Sequence, residues 1–488
     1  MAGFSRTVPL LRQISPRLTP SFFTNKAASR ISKPLPFSQQ TPFFVFSRSQ
    51  TSHASVQTPL SSISATAISA NAFQSRVHTQ TSSKSVAYWL LGSAASVFGI
   101  VIFGGLTRLT ESGLSITEWR PVTGSLPPFN QTDWELEFSK YRASPEYIRL
   151  NPRMNLEEFK KIYWMEWTHR LWGRVIGITF LVPTIYFIAR RRVPTHMAWK
   201  LTGICGLIGF QGLIGWWMVK SGLKEDLLAP GSHPRVSQYR LAAHLGTAFV
   251  AYSAMLVCGL SILREHAMLK DPKAALSLLE KLSSPPMRRL RFAVTALTAL
   301  VFTTAMSGAL VAGLDAGMIY NDFPWMGLGL TPPKAELFDA RYSQQSDHSD
   351  LWWRNMLENP SLVQLDHRIM ATTTYSLIVG LFLLPRFSSK LRAVLPSAAN
   401  KGLTGVFHMA NLQVILGIST LIYMVPTALA AAHQAGALAL LTTMLLLGSR
   451  LRVPRRTVQM LKSLQVQSRP SVVAQVKHST GSIQSVVR

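Results

Sequence analysis

Cysteine is nearly absent from this chain, with two residues in 488, Cys205 and Cys258. Both fall inside apolar stretches, where a small buried core residue is the default reading. There is no C-x-x-C, no C-x-x-C-H and no pair of loop cysteines, which excludes covalent c-type haem attachment and thiolate-held iron–sulfur clusters. Acid is missing from both ends. The first Asp or Glu is Glu111, and none occurs from Arg450 onward. Charge of either sign is sparse, 15% of residues against 47% apolar, and mean hydropathy is positive. That balance excludes an ordinary soluble protein. A net charge of +28 points to nucleic acid only if it gathers on one face. Here it sits in the acid-free ends and in short loops between apolar runs, as the positive-inside rule requires, so no nucleic-acid partner is expected.

What is present is apolar sequence in membrane-length runs. Residues 1–80 are rich in Ser, Thr, Pro and Arg without acid, the composition of a mitochondrial transit peptide. Val86 to Leu106 is then long enough to cross a hydrocarbon core of ~30 Å. Seven more runs follow at about 169–189, 201–219, 241–263, 292–314, 367–385, 403–425 and 427–448. The expected fold is an all-α membrane protein of eight transmembrane helices arranged as two pseudo-symmetric four-helix bundles. The units are 86–264 and 292–450, with a linker at 265–291 and a basic tail at 451–488. The loops around Arg190–Arg192, 264–291 and 386–401 are net basic, so they and both termini are placed in the matrix. The opposite loops are longer, and 315–366 holds eight acids against three Lys or Arg. These are placed in the intermembrane space. With Pro127-Pro128 and several tryptophans, 107–165 reads as ordered interfacial structure.

The first four runs resemble the last four in order. Gly104-Gly105-Leu106 through Gly113 matches Gly308-Ala309-Leu310 through Gly317, both at an offset of 204. His169-Arg170 matches His367-Arg368. Leu201-Thr202-Gly203 with Gln211 and Gly215 matches Leu403-Thr404-Gly405 with Gln413 and Gly417, and Ala242-Ala243-His244 matches Ala431-Ala432-His433. An even number of spans per unit gives a pseudo-two-fold along the membrane normal.

Ionisable side chains inside spans are costly and therefore candidates for function. His408, whose repeat equivalent is Gly206, reads as a structural contact, and His196, His233, His266 and His348 fall in loops. His169, His244, His367 and His433 are different. They open spans two, four, six and eight, at similar depth, two per bundle. One pair per bundle on alternate helices suits axial ligation of a haem iron from both faces. A zinc site would need a third or fourth ligand per cluster, and neither half supplies one matched across the repeat. Arg170, Arg174 and Arg368 stand near the histidines and are candidates for haem propionates, or they reach to lipid headgroups. The glycines of spans three and seven permit close helix packing, or leave room for a flat macrocycle. One mismatch separates the halves. Glu166 lies three residues before His169, on the same helical face, whereas Gln364 lies three before His367. An acid in one copy only suggests that chemistry happens there, with Glu166 moving protons or stabilising positive charge.

Phe103-Gly104-Gly105-Leu106-Thr107-Arg108-Leu109-Thr110-Glu111-Ser112-Gly113-Leu114-Ser115, with Trp119-Arg120-Pro121 and Pro127-Pro128, resembles the segment after the first span in the haem A synthase family. Glu166-x-x-His169-Arg170, the Ala-His of span four, Asn321-Asp322-Phe323-Pro324 and Asp366-His367-Arg368 resemble the same family, over roughly residues 85–450. The resemblance implies a mitochondrial inner-membrane oxidoreductase that oxidises the C8 methyl of haem O to the formyl of haem A for cytochrome c oxidase. It implies that His367 and His433 bind a resident haem b, that His169 and His244 hold the substrate haem, and that Glu166 is the essential acid. It implies ferredoxin and its reductase as electron donors, with haem O synthase, oxidase assembly factors and a second copy of the chain as further partners. The cysteine pair that many bacterial members carry in the first external loop is missing here, which removes a thiol relay. Two rival readings remain, a di-haem cytochrome that only transfers electrons and a transporter with parallel repeats.

Overall fold

The computed structural model describes residues 81–229 and 233–467, with side chains to 463. The transit-peptide reading of 1–80 lies outside the described residues, as does the end of the basic tail. Eight helices are long and apolar enough to cross a membrane. They are α1 (Lys84–Leu109), α2 (Leu156–Ala189), α3 (Thr195–Gly222), α4 (Gln238–Lys270), α5 (Pro285–Gly313), α6 (Pro360–Phe387), α7 (Ser397–Ile422) and α8 (Thr427–Arg450). Among the described residues there is no β-strand, only an isolated bridge between Met326 and Gly329.

The helix starts are set by capping chemistry as well as by apolar runs. Asn155 and Glu158 form a reciprocal capping box at the head of α2, which satisfies two N–H groups that would otherwise be orphaned. Asn359 caps α6 ahead of Pro360, and Pro285 occupies the first turn of α5, where its missing N–H costs nothing. The α2 start corrects the expectation that Glu166 and His169 open their helix, because ten residues, seven of them polar or aromatic, precede Glu166 in it. At 1.5 Å per residue, the 34 residues of α2 span ~51 Å, well beyond a ~30 Å core. The surplus projects outward and builds the first external loop. There Phe159 and Tyr163 pack with Trp134, Phe138 and Tyr141 of the helix Gln131–Arg142, so 107–165 is ordered as expected.

Within the first four helices, α1 packs on α2, α2 on α3, α3 on α4, and α4 back on α1. The last four close in the same way, through α5–α6, α6–α7, α7–α8 and α8–α5. The two sets meet through α1–α8, α4–α5 and α4–α8, and one apolar cluster runs through both, from Val86 and Leu90 to Met444 and Leu447. Polar ties cross the seam. Arg108 pairs with Asp315 at 2.6 Å and Arg235 pairs with the same carboxylate at 3.2 Å. Tyr252 shares a hydrogen bond with Thr442 at 2.7 Å, and Gln434 donates to the Val101 carbonyl. Glu111 and Asp315, which the 204-residue offset superposes, both take left-handed backbone, with φ 50° and 52°. Each turns the chain sharply off the end of an odd-numbered span. Two short helices outside the spans, Pro272–Ser283 and Arg455–Gln467, pack together at the opposite end.

Candidate functional site

The four histidines are seated by a common device. A Cβ added to Gly104 would lie 2.8 Å from His169 Cε1, one on Gly215 3.1 Å from His244 Cε1, one on Gly308 3.1 Å from His367 Cε1, and one on Gly417 2.8 Å from His433 Cε1. Each ring therefore lies flush against a glycine of the adjacent helix, with no room for a Cβ at Gly104 and Gly417 and a tight fit for one at Gly215 and Gly308. All four glycines stand out in the internal repeat, but repetition alone does not say that an imidazole fills the gap. The helices that carry the second histidine of each half are fixed in register by matched glutamines. Gln211 donates to the His244 carbonyl at 2.8 Å and Gln413 to the His433 carbonyl at 3.0 Å.

Within each half the two imidazoles lie in electrostatic range of one another, His169 with His244 and His367 with His433. Each residue is half-buried, yet Nδ1 of His169, His244 and His433 is sealed from solvent and without a hydrogen bond. The exposure that remains to each residue thus lies away from Nδ1. Among the described residues no cluster of three or more His, Cys, Asp or Glu side chains is placed to hold a metal ion. Two imidazoles per half without further protein ligands fit a macrocycle that brings its own four nitrogens. Cys205 and Cys258 are unpaired, and His408 is exposed on α7.

Glu166 sits beside His169, with its carboxylate fully engaged. Oε1 accepts from Arg170 Nε at 3.0 Å and Nη2 at 2.6 Å, and Oε2 accepts from Ser115 Oγ and the Ile116 N–H, both at 2.7 Å. These four donors fill the acceptor sites of an ionised carboxylate, and the side chain is 3% exposed. Its repeat partner Gln364 meets the opposite polarity, donating through Nε2 to the carbonyls of Ala316 (2.8 Å) and Ile319 (2.6 Å). Both side chains hold the loop that leaves the preceding odd span. One loop presents N–H and O–H groups, the other C=O groups. Arg170 and Arg368 do the same work, Arg170 donating to the carbonyls of Ile116 and Glu118 and Arg368 to those of Tyr320, Asp322, Pro324 and Trp325. Arg174 grips Arg120 and Pro121. Of these arginines, Arg174 leaves Nη1 and Arg368 leaves Nε buried without a partner, as Trp167 of α2 leaves its Nε1.

The first external loop also buries Glu146, 3% exposed, under Tyr141, whose hydroxyl donates to Oε1 at 3.3 Å. Burial, and then the neighbouring carboxylates of Glu166 and Glu111, push its carboxyl up to about 8, so it is held protonated near neutral pH. Nothing in the sequence distinguishes it from the surface acids around it.

Fold and site together define a polytopic helical membrane protein built on two pairs of glycine-seated histidines. The chain belongs to the family COX15-CtaA, cytochrome oxidase assembly protein, which it matches over residues 87–445. It is 52% identical over 386 residues to the heme A synthase COX15 of Saccharomyces cerevisiae, covering 79% of this chain and 78% of that protein. It is also 52% identical over 373 residues to the heme A synthase-mitochondrial ferredoxin fusion protein of Schizosaccharomyces pombe, covering 76% and 60%. To the heme A synthase COX15 of Homo sapiens it is 44% identical over 373 residues, covering 76% and 83%.

Proposed function

We propose that this protein is a haem A synthase, a multi-pass mitochondrial membrane enzyme of haem A biosynthesis that oxidises the C8 methyl of haem O to a formyl group. The observation that carries the reading is the pair of imidazoles in each half, every one seated on a glycine, inside a chain of this family. The units 86–264 and 292–450 are related by a pseudo-two-fold, as the matched seats and glutamines support. His169 and His244 hold the substrate haem O in the first unit, and His367 and His433 hold a resident haem b in the second. Haem b supplies one-electron redox chemistry when bound. Arg174 and Arg368, each with a guanidinium nitrogen left unpartnered, are the candidates for propionates, while Arg170 holds the loop after α1 through the Ile116 and Glu118 carbonyls. Glu166 serves as a fixed anion rather than a proton carrier, because every acceptor position is filled. It ties the loop after α1 to α2 through Ser115 and the Ile116 N–H.

The enzyme lies in the inner membrane with both termini in the matrix, as the basic loops on that side support. A ferredoxin is the electron donor in this reading. It is supported by the fission-yeast relative, in which a mitochondrial ferredoxin is joined to the synthase in one chain. Extraction of pigments from cells that depend on the His169→Ala variant tests the assignment. Haem O accumulates and haem A disappears if His169 holds the substrate, and a normal haem A content would overturn it. A di-haem cytochrome that leaves its haems unchanged predicts no change in pigment.

A further inference from the structure

The two units differ at a position that no motif marks. The offset that carries Gly104 onto Gly308 also carries Phe103 onto Ser307. The Ser307 hydroxyl lies 2.7 Å from His367 Nδ1 and 2.8 Å from the Thr304 carbonyl oxygen. A hydroxyl has a single proton, and a carbonyl can only accept. If Nε2 is the atom that binds iron, Nδ1 carries the ring proton, so the serine oxygen accepts from the imidazole and the serine proton goes to Thr304. Ser307 is thus placed to favour the Nδ1–H tautomer of His367, which leaves the lone pair on Nε2. In the first unit the hydroxyl is replaced by the Phe103 ring, which lies parallel to the His169 imidazole, 7° between planes and 6.4 Å between centroids. A phenyl ring can pack there but cannot accept that proton, and His169 Nδ1 is buried without a partner. Among the four imidazoles only His367 has its Nδ1 hydrogen-bonded.

We propose that Ser307 is a positioning residue that locks the ring plane and tautomer of His367, so that the second unit retains its haem, while Phe103 leaves His169 untethered as a releasable ligand. This rests on the reading that each histidine pair ligates a haem. Outer-shell hydrogen bonds to a ligating histidine orient the ring and raise its basicity, and their loss costs roughly 10–100-fold in affinity. A single serine, matched by phenylalanine in the other copy, is enough to make one of two similar sites permanent and the other exchangeable. That difference is what an enzyme needs if one macrocycle stays and the other passes through.

The test uses the full-length protein purified in detergent, on a His169→Ala background so that the second unit alone gives a bis-histidine low-spin signal. The rate of haem transfer to added apomyoglobin and the low-temperature EPR spectrum are recorded for Ser307→Ala, Ser307→Thr and His367→Ala. Ser307→Ala should release haem about 10–100-fold faster and shift the low-spin g values. Ser307→Thr, which keeps a hydroxyl, should restore both. His367→Ala should abolish the low-spin signal. If His367→Ala loses the signal but Ser307→Ala releases haem at the parent rate with an unchanged spectrum, the positioning role is overturned and ligation stands. If His367→Ala leaves the signal intact, the ligation reading itself fails.

Discussion

Exchanging Glu166 and Gln364 tests whether each is matched to the polarity of its loop. Glu166→Gln replaces one carboxylate oxygen with an NH2 group. Turned toward Arg170, that NH2 faces the guanidinium Nε and Nη2 that now bond Oε1. Turned toward the loop, it faces the Ile116 N–H, which cannot reorient. Either way donor meets donor, and Arg170, 16% exposed, loses its counter-charge. Removing one member of a buried ion pair costs about 3–5 kcal/mol, a large part of the ~5–15 kcal/mol that holds a typical domain folded. Gln364→Glu should cost less. It loses two donations to carbonyls, for ~1–3 kcal/mol per unsatisfied group, but the unpartnered Arg368 Nε one turn away can pair with the new carboxylate. The expected order is therefore a severe loss at 166 and a milder one at 364. Limited proteolysis of the first external loop and thermal unfolding in detergent read it directly. If Glu166→Gln keeps the loop protected and the melting temperature unchanged, the carboxylate is not holding the loop. Any loss of haem A in that variant would then belong to chemistry at Glu166 itself.

The glycine seats make a sharper prediction for site integrity. Gly417→Ala should abolish the low-spin haem of the second unit, because the new methyl would stand 2.8 Å from His433 Cε1, whereas Gly405→Ala on the same helix, with no atom within 4 Å, should leave it intact; equal spectra would refute the seating argument. For Glu146 the sign follows from a carboxyl raised from 4.5 to about 8. The folded loop binds a proton that the unfolded loop releases, so the stabilisation is complete below pH ~4.5 and is lost as pH rises through about 8, by up to ~1.4 kcal/mol per pH unit. Hydrogen exchange of residues 131–155 should therefore quicken between pH 6 and 8.5 in the parent and lose that added slope in Glu146→Gln; an identical slope in both would place the dependence elsewhere.

Eight spans, their alternation and the four histidines could be read from composition and self-comparison, because burial in lipid forces long apolar runs and a repeat shows where its exceptions lie. The start of α2 was misjudged by counting only apolar residues, although Asn155 and Glu158 already spelled a capping box. What Glu166 and Gln364 do was not legible. The difference between them is a match to backbone N–H or C=O groups in a distant loop, and backbone polarity leaves no letter in the sequence. Ser307 was missed for a related reason, since one mismatch among many in a diverged repeat carries no signal until its hydroxyl is seen between an imidazole and a carbonyl.

The pairing of each histidine with its glycine bears on how the protein comes together. Gly104 and His169 belong to the hairpin α1–α2, Gly215 and His244 to α3–α4, Gly308 and His367 to α5–α6, and Gly417 and His433 to α7–α8. Each hairpin thus carries one histidine already seated, and each histidine pair is divided between two hairpins. Helical hairpins are the units in which a nascent chain folds across a bilayer, so a half-site enters the membrane with every second helix and no site exists until its complement arrives. In the ligation reading a macrocycle bound between them clasps hairpins that the chain delivers separately, which makes cofactor capture the closing step of each half.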